Sequence, residues 1–286
     1  MINNHKYKRM DFKKLIAEVD PDIAYMLGFV AADGCISKQK YSDVLIIALH
    51  FKDAEILYKL RDILGVDNPI IFRDIKKGSR QAQLSVVQKG LAEYFGLYGI
   101  MPRKSTRVKW PENLPKKLLP HYVRGYFDGD GSATLKNTLT GYTLVGVSFT
   151  SSSKAFIVKL KNWLISKKLK IKLKSRRLDS GNYSYDVVLV KPARQFLKIY
   201  NLLYDFRHMV YLNRKYKQFM ICYNNPSLLT KYTIEATNKV YDNVEECASD
   251  LGISSATVFR HLKGTFPNVY KLKRCYIPFY AEMLEK

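Results

Sequence analysis

The chain has 286 residues, of which 47% are hydrophobic, and its formal net charge is +23. A chain of this length and hydrophobic fraction can bury sizeable cores, which we expect in two or three units. No apolar run approaches the roughly eighteen residues of a membrane-spanning helix, so a membrane-embedded protein is excluded. Residues 1–230 carry +22 of the charge and residues 231–286 only +1. Because released counterions drive the binding of polyphosphates to basic surfaces, a nucleic acid is the expected partner of residues 1–230.

The N-terminus is basic but has no hydrophobic signal region, so we expect no secretion. Its cations either form an arm that contacts phosphates or lie on a solvated tail; they are Lys6, Lys8, Arg9, Lys13 and Lys14. The 4 cysteines lack the spacing of a metal site. They predict reduced thiols in a cytoplasmic protein, encoded by a bacterium or phage, or in an organellar one.

One nine-residue pattern occurs twice, as residues 26–34 and 123–131. Each copy ends in Asp-Gly and carries two small residues four positions apart, Gly28 and Ala32 in the first and Gly125 and Gly129 in the second. Positions i and i+4 share one face of a helix, so each copy offers a smooth stripe on which another helix can pack closely. If the two stripes pack in parallel, Asp33 and Asp130 meet at one end.

The two aspartates are predicted to lie near helix C-termini, because the glycine after each is a natural helix cap. The macrodipole disfavours an anion there, so we expect a cation beside each carboxylate. Two close carboxylates also repel, and either a proton or a metal ion must neutralise them. Hard oxygen ligands with no softer group nearby suit Mg²⁺ best.

The order of predicted elements repeats after each motif. In the first half, a strand from Val44 to Phe51 is followed by Asp53 as the N-cap of a helix that ends at Gly65, by a hairpin turn at 77–80 and by a helix within 90–98. The second half repeats this order with a strand from Tyr142 to Thr150, a helix N-cap among Ser151, Ser152 and Ser153, a turn at 179–182 and a helix within 193–204. The pattern is therefore α-β-β-α-β-β-α, twice.

Polar and apolar residues alternate along one hairpin strand of each half. Such a strand presents one apolar face and one polar face, and a polar face of Lys, Arg and Gln can hold phosphates and read bases in the major groove. A half-buried strand with a wet face gives the same pattern, but its occurrence in both halves favours DNA. The predicted contacts are Lys76, Arg80, Gln81 and Gln83 in the first half and Lys170, Lys172, Lys174, Arg176 and Arg177 in the second.

The C-terminal segment predicts a separate helical module. Asn243 and Glu246 have capping-box spacing before a short helix, Gly252 marks a turn, and a second helix begins at Ser254 or Ser255. Val258, Phe259 and Leu262 are predicted to face inward. This is the pattern of a helix-turn-helix, whose second helix enters the major groove; a helical hairpin for protein contact is the alternative. The predicted DNA contacts are Ser255, Thr257, Arg260 and His261.

Both nine-residue segments resemble the LAGLIDADG motif of homing endonucleases, and two copies in one chain are similar to the single-chain members of that family. The resemblance covers about residues 20–222. It implies an α+β fold with two pseudo-symmetric α-β-β-α-β-β-α subdomains, whose antiparallel sheets form saddles over DNA. The C-terminal module resembles the helix-turn-helix domains attached to such nucleases. The sixth motif position differs, with Ala31 in the first copy and Asp128 in the second; it is not the metal ligand of the family.

The resemblance also implies the roles of individual residues. Asp33 and Asp130 match the metal-binding catalytic aspartates, and the carbonyls of Ala32 and Gly129 join them in holding two or three divalent ions. Mg²⁺ is expected, with Mn²⁺ substituting and Ca²⁺ binding without cleavage. Lys104 and Lys215, each within an Arg-Lys pair, are implied to lie near the metal sites and to position water or balance phosphate charge. His50, at a strand end, is implied to contact the network of the nucleophilic water, and its counterpart is Thr150 or Ser151.

The sequence therefore predicts a monomeric, site-specific double-strand DNA homing endonuclease with a long asymmetric target. The predicted divisions are residues 1–115 with a basic N-terminal arm, 116–222, a linker at 223–231 and the module at 232–286. The alternative is a non-cleaving binder of the same fold, either an intron RNA maturase or a transcription regulator. Such regulators tend to lose the motif acids, whereas this chain has both. An intein-embedded nuclease is disfavoured, because residue 1 is not a nucleophile and no terminal His-Asn is present.

Overall fold

The computed structural model describes residues 7–75, 78–102, 106–138, 141–204, 210–224, 230–236, 239–241 and 244–278. The chain forms two compact units. The larger consists of Met1–Thr134 and Gly146–Phe219, and the smaller of Leu135–Val145 and Met220–Lys286.

The first half of the larger unit has the predicted order of elements, preceded by one short helix. Its helices are α1 (Phe12–Ala17), α2 (Pro21–Asp33), α3 (Glu55–Leu64) and α4 (Leu91–Gly96). Its strands are β1 (Gly34–Lys38), β2 (Asp43–His50), β3 (Ile70–Ile75) and β4 (Ser79–Gln88). The strands form an antiparallel sheet in the order β1-β2-β4-β3.

The second half repeats this topology. Its helices are α5 (Leu119–Asp130), α6 (Lys154–Ser166), α7 (Phe196–Tyr204) and α8 (Asn213–Tyr223). Its strands are β5 (Gly131–Thr138), β6 (Gly141–Ser151), β7 (Ile171–Arg177) and β8 (Tyr183–Leu189), in the order β5-β6-β8-β7. The predicted α+β class with two four-stranded antiparallel sheets is confirmed.

Each sheet buries one face and exposes the other. In β4 the side chains of Ala82, Leu84 and Val86 are buried, and in β8 those of Val187 and Leu189 are. Alternate residues therefore point to the opposite, outward face of each sheet.

The backbone of residues 8–10 is held on the first half, so this part of the chain is not a solvated tail, whereas Lys6 lies outside the described residues. The backbone N–H of Lys8 donates to Asp67 Oδ1 at 2.6 Å. Met10 is buried, and its N–H and C=O bond both ends of the Gln88 amide, at 2.8 and 2.9 Å. Contact of this arm with phosphates stays a prediction.

Asp53 is not the N-cap of α3, which was the expectation. Residues Phe51–Asp53 form a short 3-10 turn, and the helix begins after Ala54 without a side-chain cap. Asp53 instead pairs with Arg214 at 3.0 Å, 161 residues away. Its carboxylate therefore joins the two halves. The expected N-cap of α6 is confirmed as Ser153, and Gly65 ends α3 in a left-handed conformation.

The smaller unit contains the two predicted helices and a sheet that the sequence did not predict. The helices are α9 (Val244–Asp250) and α10 (Ser255–Leu262), with a left-handed Gly252 between them and Ser254 as N-cap. The strands are β9 (Thr230–Ala236), β10 (Lys239–Tyr241) and β11 (Lys273–Pro278), paired in the antiparallel order β10-β9-β11. The predicted cap Asn243 lies outside the described residues.

Candidate active site at the paired helix ends

The helices α2 and α5 pack so closely that glycine is required at their crossing. A Cβ atom on Gly28 would overlap the carbonyl oxygen of Tyr122, and one on Gly125 would overlap that of Tyr25. The two contacts are reciprocal, as expected for two copies of one motif. The small-residue stripe predicted for each copy is therefore the surface along which the helices meet.

The two helices run parallel, and their C-terminal ends meet. Gly28 lies against Tyr122, whereas Gly129, further along α5, lies against Ala32 and Asp33 at the end of α2. The Asp33 Oδ2 atom is 3.3 Å from the position that a Cβ on Gly129 would occupy. Asp33 is half-buried and Asp130 exposed. The predicted meeting of the two acidic ends is thus confirmed.

Each helix ends at its aspartate, and the next glycine opens a strand. Gly34 and Gly131 are the C-caps, as predicted, and the backbone of both is extended (φ −68° and −88°). Their small size matters for another reason. A Cβ on Gly34 would lie 2.7 Å from the Val30 carbonyl oxygen, and one on Gly131 would overlap the Phe127 ring. Because the strand begins directly after the helix, each aspartate is both the last residue of its helix and the residue before a strand.

The cation expected beside the carboxylates is Lys215, on α8. Its side chain is 4% exposed, and Nζ donates to the carbonyl oxygens of Phe127, Gly129 and Gly131 at 2.7, 2.8 and 2.6 Å. An ammonium group has three donors, so all of them are used. Lys215 thereby neutralises the C-terminal end of α5 and fixes the backbone on both sides of Asp130.

The environment of Lys215 acts on its charge in two directions. Burial lowers the pKa of Lys215 to about 8, whereas the charges of Asp128, Asp33 and Asp130 act to raise it. The three carbonyl oxygens can only accept hydrogen bonds, so the geometry fits the ammonium form. The Gly129 carbonyl, a predicted metal ligand, is already one of the acceptors.

Asp128 is a structural residue that connects three elements. It is 1% exposed and accepts hydrogen bonds from the hydroxyls of Tyr25 and Tyr204 at 2.8 and 2.9 Å and from the Leu212 N–H at 2.7 Å. Burial raises the pKa of Asp128, and the bonds from Leu212 and Tyr25 act against that rise. The prediction that this motif position is not the metal-binding one agrees with a carboxylate directed into the core.

The first motif copy has alanine at this position, and this difference changes the hydrogen bonding of a tyrosine on the other helix. Tyr122 occupies in α5 the place that Tyr25 occupies in α2, three residues before the crossing glycine. Tyr25 bonds Asp128, so the equivalent partner of the Tyr122 hydroxyl would be the residue at the same motif position of the first copy. That residue is Ala31, which has no side-chain acceptor. The Tyr122 hydroxyl is buried and has no hydrogen-bond partner within the described part of the chain.

Removing the Asp128 carboxylate should destabilise the larger unit. Asp128→Ala strands three buried donors, and we expect a loss of about 3–5 kcal/mol in the free energy of unfolding. Asp128→Asn retains one acceptor oxygen and should lose about 1–2 kcal/mol. Urea unfolding followed by circular dichroism measures both. Asp179→Ala, in an exposed turn, is the control; equal stability of Asp128→Ala and this control would contradict the assignment.

The residues at the helix ends fit a divalent cation that takes its remaining ligands from elsewhere. The described ranges contain no group of three or more His, Cys, Asp or Glu residues that could hold a metal. Two carboxylates and neighbouring carbonyls are hard oxygen donors, which Mg²⁺ prefers. Mg²⁺ commonly completes its shell with water and substrate phosphates, so two acidic ligands are enough.

The second sheet presents the predicted basic face. Lys172, Lys174 and Arg176 alternate with the core-facing Ile171 and Leu173, and all three cations are exposed. Arg177 lies on the other side of the strand. Lys170 precedes the strand, where its backbone N–H donates to the Gln195 side chain at 2.6 Å.

The first sheet differs from the prediction at one residue. Gln81 and Gln83 lie on the outward face, opposite Ala82 and Leu84. Arg80 lies on the other side of β4, where its guanidinium stacks over Phe72 at 5.2 Å and is 3.8 Å from Asp74. Lys76 and Lys104 lie outside the described residues. The outward face also contains Arg73, paired with Gln81 in register, which the sequence reasoning missed.

His50 lies at the outward end of β2, in register with Gln81. It is exposed, and its Nδ1 accepts a 3.3 Å bond from the Lys52 N–H. Of the two expected counterparts, Thr150 faces outward and donates to Asp186 at 2.6 Å, whereas Ser151 is buried.

In the smaller unit, two predicted side-chain orientations are wrong. His261 is buried, with its Nδ1 2.7 Å from the Pro267 carbonyl oxygen and its ring against Phe266 and Tyr270. Phe259, expected inside, is 41% exposed. Arg260 is exposed, and Ser255 and Thr257 are half-buried.

No helix within the described ranges is long and apolar enough to cross a membrane.

One curated protein is similar to part of this chain. The probable translation initiation factor IF-2 of Methanocaldococcus jannaschii is 26% identical over 192 residues, which are 62% of this chain and 15% of that protein. The chain thus spans about 15% of the length of this curated relative.

Solved structures with a similar fold include three named homing endonucleases. I-WcaI bound to its DNA recognition sequence has 14% identity, a TM-score of 0.49 and coverage of 74% of this chain and 88% of its own. DNA-bound I-LtrWI has 12% identity, a TM-score of 0.47 and coverage of 76% and 93%. Mesophilic variants of I-DmoI have 17% identity, a TM-score of 0.45 and coverage of 65% and 97%.

A family model described as the LAGLIDADG-like domain matches residues 119–219, from the start of α5 into α8. The match contains the second motif copy, its sheet and Lys215. The resemblance noted in the sequence is confirmed there, and the first half repeats the same order of elements around the other copy. Residues 119–219 of this chain are therefore similar to the LAGLIDADG-like domain.

Proposed function

We propose that this chain is a monomeric, Mg²⁺-dependent, site-specific endonuclease that hydrolyses both strands of a long asymmetric DNA target. The observation that carries the proposal is the meeting of Asp33 and Asp130 at one end of a parallel helix pair. Two acidic groups in one place, on a chain with a net charge of +23, suit metal-assisted chemistry on a polyanion.

In this proposal, Asp33 and Asp130 hold divalent ions together with the Ala32 and Gly129 carbonyls. When bound, such ions supply an activated water and stabilise the leaving oxygen of the phosphodiester. The chain's own contribution is position. The crossing glycines bring the helices together, and Lys215 holds the carbonyls around Asp130 in place. We assign Lys215 this positioning role, because its three donors are directed at backbone oxygens. The roles of His50 and Lys104 stay predictions.

The outward faces of the two sheets and the exposed Arg260 of α10 are the proposed contacts with DNA. Arg260 is exposed on α10, and Ser255 and Thr257 are half-buried on the same helix. His261 is no longer proposed as a contact, because its ring is buried.

The salt dependence of DNA binding should show whether the basic face of the second sheet contacts phosphates. Each phosphate contact contributes about 0.9 to the slope of log affinity against log salt, so the triple variant Lys172→Gln, Lys174→Gln and Arg176→Gln should lower the slope by up to about 3. Filter binding or fluorescence anisotropy at several salt concentrations measures it.

The matched control removes the same charge from the first residue of α6 and from the two residues that follow this helix. Lys154→Gln, Lys167→Gln and Lys168→Gln change exposed side chains and should leave the slope unchanged. Equal slopes for the two triple variants would remove the second sheet from the interface.

Cleavage is tested on a target found by the protein itself. Duplexes bound by the full chain are selected from a random library in Ca²⁺, which is expected to support binding without cleavage. The selected site is cloned into a supercoiled plasmid and incubated with Mg²⁺, Ca²⁺ or EDTA. We expect linear product in Mg²⁺ alone. A plasmid that is bound in all conditions and cut in none would establish a non-cleaving binder.

A further inference from the structure

The outward faces of the two sheets carry different chemistry at equivalent positions. Both sheets have the same strand order, with β3 and β7 as edge strands. In the first sheet His50, Gln81 and Arg73 lie in register across three strands. In the second, the matching row is Thr150, Asp186 and Lys174. These two rows define which residues of β3 and β7 are equivalent.

At two equivalent positions, β3 has an aliphatic side chain where β7 has a cation. Arg73 matches Lys174, so Ile71 matches Lys172 and Ile75 matches Arg176. Ile71 and Ile75 are 40% and 46% exposed, although isoleucine is among the residue types most often buried. The edge strand of the first sheet therefore has one cation where the second has three.

An aliphatic surface and two glutamines favour particular bases. In the major groove the only apolar group is the C5-methyl of thymine, and glutamine pairs with the N6 and N7 edge of adenine. Gln83 Nε2 donates to Ser85 Oγ at 2.6 Å, a bond that does not use Oε1, the atom that would accept from a base amino group. Thymine and adenine belong to the same base pair, so both features point to the same composition.

The far end of this face carries two further cations. A shallow pocket of about 340 Å³ lies there, with Tyr7, Ile71 and Val87 among its apolar lining and Lys8 and Arg9 beside them. Val87 is 61% exposed. An apolar floor with a cationic rim suits a base edge flanked by its phosphate.

We propose that the first sheet reads an A·T-rich half-site, through thymine methyl groups packed on Ile71 and Ile75 and adenine edges bonded by Gln81 and Gln83. The second sheet holds its half-site through ionic contacts from Lys172, Lys174 and Arg176. This inference rests on the proposed binding of a DNA target, but not on cleavage.

Replacement of thymine by deoxyuridine tests the methyl contacts directly, because it removes one methyl group and retains base pairing. With the full chain in Ca²⁺ and the selected duplex, we expect deoxyuridine in one half-site to weaken binding about fourfold for each contacted methyl. In the other half-site it should change nothing. The double variant Ile71→Ala, Ile75→Ala should bind the thymine and deoxyuridine duplexes equally well.

The matched control is Ile165→Ala, which shortens an equally exposed isoleucine on α6 and should retain the deoxyuridine effect. Equal sensitivity of both half-sites, or an unchanged effect in the double variant, would overturn the inference. The two proposals fail separately. A chain that shows the deoxyuridine effect but never cuts in Mg²⁺ contradicts the nuclease alone, and one that cuts without the effect contradicts the half-site assignment alone.

Discussion

Gly28→Ala is expected to lower the free energy of unfolding of the larger unit by at least about 3 kcal/mol. The added Cβ would overlap the backbone carbonyl oxygen of Tyr122, and no side-chain rotation can relieve an overlap with backbone. The helices α2 and α5 would have to separate along the whole crossing. Gly125→Ala places its Cβ on the Tyr25 carbonyl in the same way and should have an effect of similar size.

The control for this prediction is another glycine inside a helix. A Cβ on Gly96, in α4, would meet nothing within 4 Å. Gly96→Ala should therefore be neutral or stabilise the protein by up to about 1 kcal/mol. Urea denaturation of the three variants gives the comparison. If Gly28→Ala and Gly96→Ala unfold at the same urea concentration, the close helix crossing is not present in solution.

Asp33→Asn and Asp130→Asn are each expected to reduce Mg²⁺-dependent cleavage at least about 100-fold, because each removes a charged ligand at the position where the transition state is stabilised. Asparagine has nearly the shape of aspartate, so the helix ends should stay intact. DNA affinity in Ca²⁺ should change little, since the sheet faces are unaltered. Asp62→Asn, exposed on α3, is the control and should cleave like the natural chain.

The two halves are unequal inside as well as on their surfaces. In the second half a buried carboxylate, Asp128, collects three donors, and a buried ammonium, Lys215, fixes the end of α5. The first motif has Ala31 at the position of Asp128. We infer that the second half carries more of the polar anchoring of the helix pair.

The sequence predicted the helix pair because its signal is local. Gly28 and Gly125 lie within repeated segments, and helix periodicity alone places Ala32 and Gly129 on the same faces. The order of helices and strands along the chain followed from the same repeat. The alternation of Lys172 and Lys174 with apolar neighbours likewise predicted which residues β7 exposes.

The errors share one physical cause, which is a partner that lies outside the element itself. Asp53 looks like a helix cap until Arg214 is brought to it from the second half. His261 looks solvent-facing on a helical wheel, but the segment that follows α10 folds back and covers it with Phe266 and Tyr270. Strand β9 pairs with β11 more than thirty residues downstream, so the sheet of the smaller unit had no local signal.

Lys215 shows how far a motif alone can lead. An Arg-Lys pair predicted a cation near the aspartates. Only the structure shows that the ammonium group is directed at three carbonyl oxygens of one helix end. A lysine used in this way positions the site, which differs from the water-positioning or charge-balancing role that the resemblance implied.

We propose that Asp33 and Asp130 form one composite centre and not two separate half-sites. Strand-resolved kinetics tests it most directly, using the selected target labelled at both ends and incubated with Mg²⁺ and Asp33→Asn. Because the Asp33 carboxylate lies against Gly129 beside Asp130, we predict that this single substitution slows cutting of both strands to a similar degree. If one strand is still cut at the rate of the natural chain, the two carboxylates act independently and the shared centre is contradicted.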